Sequence, residues 1–271
     1  MNLIEFFKPQ KTLSISTTGE ACFLNCAHCG GHFLKSMTAI EQAADKAKAR
    51  DVKSCLISGG CDKTGRIPMN PRIIEEVKRL KNNYTINMHV GMLKASEVDE
   101  VCSLADVISL DIPASTKVVR EVYGLEYEYN DYIKLYSKLR EKIKVVPHVC
   151  LGLIDSYKLE DEVKLVERLA VIRPESLCYI IFTPVPGTGF ENKKPPNSIA
   201  VENIFKKTVE LLPEMRLYLG CMRPGGGYRE EIDVKAVEAG VQGIVMPARK
   251  AVERAEEMGL NVIWKDECCA F

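Results

Sequence analysis

The sequence carries no net charge, its 37 Lys and Arg offsetting 37 Asp and Glu. That removes the global field with which a basic chain gathers nucleic acid or an anionic membrane surface. No apolar run approaches the roughly 18 residues of a spanning helix, so no membrane partner is expected. The opening Met1-Asn2-Leu3-Ile4-Glu5-Phe6-Phe7-Lys8 interrupts its short apolar stretch with an acid and shows no cleavage pattern, which argues against a signal peptide. Low-complexity tracts are missing too; the Pro- and Gly-rich stretch 184–196 reads as one long loop. Cysteine, by contrast, is plentiful, with 11 in 271 residues. Many cysteines without a secretion signal predict a cytoplasmic protein that uses thiols for metal rather than disulfides. An apolar fraction of 46% is ample for one sizeable core, and a single domain over 1–271 is expected.

The most specific motif is Cys22-Phe23-Leu24-Asn25-Cys26-Ala27-His28-Cys29, a C-x3-C-x2-C spacing directly after a short strand and a Thr18-Gly19 turn. Three thiolates on one loop can ligate three irons of a cubane and leave the fourth open to a small molecule. A structural zinc site, with His28 or His32 supplying nitrogen, is the alternative.

Short β-rich runs alternate with amphipathic helical stretches. The strands fall at 13–17, 54–58, 85–90, 106–111, 145–151, 177–183, 215–220 and 243–246. Helical patterns lie at 40–50, 71–81, 132–142, 160–171, 199–211 and 248–258, the last followed by Gly259 as a stop. Pro71 and Pro247 suit first-turn positions. Eight strand–helix units predict an α/β fold of the closed (β/α)8 type, core 13–259, with an open six-unit barrel as runner-up. In such barrels chemistry gathers where the strands end, and the informative residues fall there. They are the three-cysteine loop, Ser58-Gly59-Gly60-Cys61, His89, Asp111, His148 with Gly152, Gly187-Thr188-Gly189, and Gly220-Cys221-Met222-Arg223.

The remaining cysteines divide in two. Cys55, Cys102, Cys150 and Cys178 lie in apolar periodic stretches and read as small buried hydrophobes. Cys61 and Cys221 follow strands, and Cys268-Cys269 follows the extended run Asn261-Val262-Ile263-Trp264. That run is expected to carry the tail, 260–271, back to the catalytic rim, where a second iron–sulfur cluster would gather Cys61, Cys221, Cys268 and Cys269. An idle, oxidation-prone tail is the alternative. His89 and His148 are candidate proton donors or substrate contacts, or simply satisfied core histidines.

The cysteine spacing and its position after the first barrel strand resemble the radical S-adenosylmethionine enzymes. That resemblance implies a [4Fe-4S] cluster on Cys22, Cys26 and Cys29, whose open iron binds S-adenosylmethionine and cleaves it to a 5′-deoxyadenosyl radical. It further implies that Ser58, Gly59 and Gly60 meet the methionine amino group through backbone carbonyls. His28 would stack near adenine, Asp111 would contact the ribose, and Gly152 would pass close to adenine, although only part of that last motif is present. Within the superfamily the chain is similar to the biotin synthase-like branch. Asn25-Cys26-Ala27-His28-Cys29, Leu56-Ile57-Ser58-Gly59-Gly60-Cys61, Leu219-Gly220-Cys221-Met222-Arg223-Pro224, Gly243-Ile244-Val245-Met246-Pro247 and Glu267-Cys268-Cys269 resemble a component of the two-protein lipoyl synthases. The one-protein enzyme's N-terminal three-cysteine motif and its Arg-Ser-Ser-Tyr are missing. The resemblance implies sulfur insertion into an octanoyl chain on a lipoyl-carrier protein, with a second lipoyl synthase component and an electron donor such as ferredoxin or flavodoxin. Arg223 would hold a carboxylate or stabilise cluster charge. A biotin synthase-like enzyme of free small molecules and a non-catalytic iron–sulfur carrier are the other expectations.

Overall fold

Strands covered on both faces bury consecutive residues rather than every second one. The segment Val107–Asp111 does so, burying Val107, Ile108, Ser109 and Leu110 in succession. Across the computed structural model, which describes residues 3–271, eleven strands assemble into one parallel sheet. Met1 and Asn2 of the opening stretch lie outside the described residues. The strands are β1 (Leu3–Phe7), β2 (Thr12–Ser16), β3 (Thr38–Ala39), β4 (Ser54–Ser58), β5 (Thr85–His89), β6 (Val107–Asp111), β7 (Lys144–Leu151), β8 (Ser176–Ile181), β9 (Arg216–Leu219), β10 (Gly243–Val245) and β11 (Asn261–Lys265). Their order is β11-β1-β10-β9-β8-β7-β6-β5-β4-β2-β3.

All eight expected strands are present and neighbour one another in sequence order. The simple eight-strand closure is not: β10 pairs with β1 rather than β2, and β1 in turn pairs with β11. Thus β1 and β11 occupy the seam of an open, curled sheet. Across it the Lys11 N–H donates to the Asp266 carbonyl at 2.8 Å, just before β2 begins. The acid that breaks the opening apolar stretch, Glu5, is buried in β1 and takes a hydrogen bond from Arg216.

Helices cover the sheet between strands. The helix Pro71–Lys81 begins where Asn70 accepts from the Ile73 N–H, with Pro71 in its first turn as expected, and it buries Ile73, Ile74, Val77 and Leu80. Each such side chain is worth about 1.5–3 kcal/mol of burial. Gly259, at φ 68, ends the helix Arg249–Glu257 as expected, but Pro247 precedes the N-cap Ala248 instead of entering the first turn. Two helices, Val98–Leu104 and Gly226–Glu238, were not expected. The second opens on three glycines and has almost no apolar stripe, so no periodicity announces it.

The tail turns inward. After β11 it enters the interior of the curled sheet, where Cys269 and Ala270 are buried among Phe7, Val107, Val146, Cys178, Tyr218 and Val245. Six strands supply those partners: Val107 opens its strand, Phe7 and Val245 close theirs, and the other three lie within theirs. The Cys268 N–H donates to Thr12 Oγ1 at the start of β2. Small residues let the tail replace a layer of side chains that strands usually contribute.

Candidate functional site

The strands end on one cavity of about 350 Å3, lined by Cys22, Cys26, Cys29, His28, Ser58, Gly59, Gly60, Cys61, His89, Asp111, Tyr123 and Cys150 among others. Loop geometry at the cysteines is set by backbone contacts. The Cys29 and Gly30 N–H groups both donate to the Cys26 carbonyl, Ala27 donates to Val122, and Phe23 donates to Cys61. Asn25, Gly30 and Gly31 all take positive φ, so the loop turns sharply around its thiols.

Gly60 lies flat against that loop. A Cβ there would stand 1.9 Å from the Ala21 carbonyl oxygen and 2.6 Å from Cys22 Cα. Its N–H is held by Thr18 Oγ1 at 2.7 Å, and Thr18 in turn donates to Ala21. Close packing of the Ser58–Gly60 turn on the cysteine loop therefore explains Gly60, whereas a Cβ on Gly59 would stand 2.5 Å from Thr17 Oγ1 and 3.1 Å from the Ile67 side chain.

Burial pushes the Cys26 thiol up to about 12, with Cys29 and Cys22 adding to the effect. Burial raises Cys29 as well, and takes Cys61 to about 12 with help from Cys22. Neighbouring buried thiols need a cation to become thiolates together. Among the described residues no three His, Cys, Asp or Glu side chains converge on a single metal ion. The donor set still suits a cluster, because each thiolate of a cubane binds a different iron.

His28 stands against Tyr123, ring centres 5.9 Å apart, with its Nδ1 buried and unpartnered. Burial lowers its pKa to about 4, opposed by Asp111. Asp111 faces the cavity, and its charge is felt by Cys26, Cys61, His28, His89 and both Tyr123 and Tyr132. His89 pairs with His148 at 5.1 Å, and burial, then His148, takes it down to about 4. His148 Nδ1 is bonded to Val146 O and lies deeper than the cavity lining.

The other expected residues lie elsewhere. Gly152, at φ 87, donates its N–H to buried Glu162 at 2.9 Å and packs on Pro196 outside the cavity lining. Arg223 is spent on structure: its buried side chain forks onto Asp233 at 2.6 and 2.8 Å and donates to Gly220 and Met246 carbonyls. It braces the loop carrying Cys221, and its charge opposes the upward shift that burial gives that thiol. The four cysteines expected to share a second cluster divide. Cys61 lines the cavity beside the first triad, whereas Cys221, just past the end of β9, neighbours Cys268 and Cys269. Cys178, read as a plain core residue, joins that second group within hydrogen-bond reach of Cys269. Asn87 donates to Cys268 at 3.8 Å, and Ser109 donates to Asn87.

Sequence reasoning missed Tyr123, Tyr132, Cys150 and Phe182 as cavity walls. Tyr123 is delivered by a π-turn, Val119–Tyr123, which ends at Gly124 with φ 70. A Tyr-Gly pair was the one available signal. Glu162 was legible only as a helix residue.

No protein-family model matches the chain, and no curated protein matches it by sequence. Solved structures do match in fold. Methylornithine synthase (PylB) superposes with TM-score 0.67 at 14% identity, over 97% of this chain and 84% of its own. TsrM from Kitasatospora setae, a radical S-adenosylmethionine methyltransferase, gives 0.55 at 10% identity, over 93% and 62%. Hydroxymethylglutaryl-CoA lyase from Pseudomonas aeruginosa gives 0.52 at 10%, over 92% and 78%. A curled parallel α/β sheet is thus shared with enzymes of differing chemistry, and the site must decide among them. Among the described residues no helix is long and apolar enough to cross a membrane.

Proposed function

We propose that the chain is a radical S-adenosylmethionine enzyme that inserts sulfur into an octanoyl chain on a lipoyl-carrier protein, working with a partner protein. One observation carries the first half. The three cysteines and His28 of the C-x3-C-x2-C loop, which follows β2, line the same cavity as Ser58, Gly59 and Gly60 at the end of β4 and Asp111 at the end of β6. When bound, the cluster and S-adenosylmethionine would supply a carbon-centred radical able to take an unactivated hydrogen. Cys22, Cys26 and Cys29 would hold the cluster, the Ser58–Gly60 backbone would take the methionine end, and Asp111 would accept from ribose hydroxyls. His28 offers its unpartnered Nδ1 and its ring face on the adenine side, and the buried walls exclude water from the radical.

The sulfur-inserting half rests on the subgroup resemblance, supported by the grouping of Cys221 with Cys268 and Cys269. Cys221, Cys268 and Cys269 would hold a second centre as sulfur source, and Cys61 stands with the first site rather than with them. A free polar substrate is the second reading, favoured by His89 and Asp111 on the cavity wall.

Anaerobic reconstitution with iron and sulfide tests this. Wild type with reductant, S-adenosylmethionine and an octanoylated carrier peptide should release 5′-deoxyadenosine and yield a peptide heavier by one sulfur. Partner protein should carry it to the two-sulfur form. Replacing Cys22, Cys26 and Cys29 by Ala should abolish deoxyadenosine. Deoxyadenosine without sulfur gain, with partner present, would move the substrate to the free-small-molecule class; none at all from wild type would refute the enzyme class.

A further inference from the structure

Lys193 lies in the long loop that follows β8, and the structure gives its ammonium an unusual task. It donates to the Leu153 carbonyl and, at 3.0 Å, to the Ile154 carbonyl, both immediately after Gly152. The same ammonium lies 4.7 Å over the Phe190 ring and 5.7 Å from Phe182. Carbonyls and ring faces satisfy it, in place of a carboxylate.

Those four partners belong to three parts of the site. Phe182 is cavity wall and packs edge-on against Phe190 at 5.9 Å. Phe190 donates its N–H to the Ala27 carbonyl at 2.9 Å, inside the cysteine loop. A Cβ on Gly30 would meet Thr188 at 3.2 Å, and one on Gly189 would meet Ala27 at 3.5 Å, so the loop lies directly on the cysteine loop. Pro196, further along, packs on Gly152, and the Asn197 N–H donates to Ser156. The long loop is thus a strap, joined at one point to the cysteines and at another to the segment after β7.

We infer that Lys193 is a positioning residue for the cofactor's cavity, holding the Phe182 wall and the strap in place on the cysteine loop through two carbonyls after β7 and the Phe182–Phe190 pair. This rests on the radical S-adenosylmethionine reading. A cation held by two carbonyls and two ring faces contributes through geometry and charge together. Methionine keeps the stem and loses both; arginine keeps both and reaches the same acceptors.

The test is calorimetric titration of reconstituted protein with S-adenosylhomocysteine, beside iron content, melting temperature and the KM for S-adenosylmethionine. Lys193→Met should weaken binding and raise KM on the order of tenfold, as the loss of one charge-assisted hydrogen bond implies. Its iron content and kcat at saturation should stay near wild type, and Lys193→Arg should recover most of the affinity. Should the Met variant not fold, Lys193→Gln replaces it with the same expectation. Wild-type affinity in the Met or Gln variant overturns the inference alone. So does a loss of affinity that tracks loss of iron and melting temperature and that Arg does not rescue. Wild type that binds no S-adenosylhomocysteine overturns the proposed function, and this inference with it.

Discussion

Replacing Gly60 by alanine probes the contact on which the whole site is built. The new Cβ would stand 1.9 Å from the Ala21 carbonyl oxygen, 2.6 Å from Cys22 Cα and 2.7 Å from the Ala21 carbonyl carbon. Carbon atoms pack at roughly 3.5 Å or more, so the cysteine loop or the turn after β4 must retreat by about 1 Å. All three obstacles are backbone, and no side-chain rotation relieves them. Overpacking of this kind costs about 1–3 kcal/mol, which leaves a folded protein. The functional cost is larger, because a displacement near 1 Å at a reacting geometry is worth on the order of 100-fold in rate. We therefore expect Gly60→Ala to remain folded by circular dichroism while S-adenosylmethionine cleavage falls about 100-fold. Gly225→Ala is the control, since a Cβ there meets nothing within 4 Å. Unchanged cleavage and iron content in Gly60→Ala would refute the close approach of the two segments.

Two further outcomes follow from buried charge. Burial raises Glu162 from 4.5 to about 7, partly opposed by the Gly152 N–H, so the folded protein holds this proton more tightly than the unfolded chain. Its contribution is fully present below about pH 4.5 and lost as pH rises to about 7, a swing of about 3 kcal/mol. Glu162→Gln should flatten that slope and be the more stable protein at pH 8, measured by urea unfolding at both ends; parallel pH profiles would refute it. Asp233→Asn leaves the Arg223 guanidinium buried without its counter-charge and should cost about 3 kcal/mol in the same assay, whereas a loss under about 1 kcal/mol would show the pair to be dispensable.

The strand series was legible because parallel strands covered on both faces announce themselves as short apolar runs, and all eight expected ones are present within two residues of their bounds. What lay beyond such reading was long-range. Nothing local in Leu3–Phe7 says that it pairs with β10 and β11 rather than preceding the sheet. The tail's direction was equally hidden, since Asn261–Lys265 reads as extended whichever end of the sheet it approaches. At the site, Cys22, Cys26, Cys29, Ser58, Gly59, Gly60, His28 and Asp111 share one cavity, as their places at strand ends suggested. Cys61, Cys221, Cys268 and Cys269 look alike in sequence, yet their grouping depends on depth within the sheet, which spacing does not encode. The partner of Arg223 was hidden for the same reason: Asp233 lies on the one long helix that had no periodicity to reveal it.

The seam has a consequence for how the molecule is made. β1 emerges from the ribosome before its partners, which begin at Gly243 and Asn261, more than two hundred residues later. Until they arrive, Ile4, Phe6 and Phe7, all buried in the finished protein, have no permanent neighbours. Loop-closure entropy on that scale has to be met before any seam contact returns energy, which places seam formation late and makes it slow. During that wait a short, strongly apolar strand stands open to wrong partners, including the same strand of another nascent chain. Assembly of the seam is therefore the step at which this protein is most exposed to aggregation, and the step a chaperone would most need to guard.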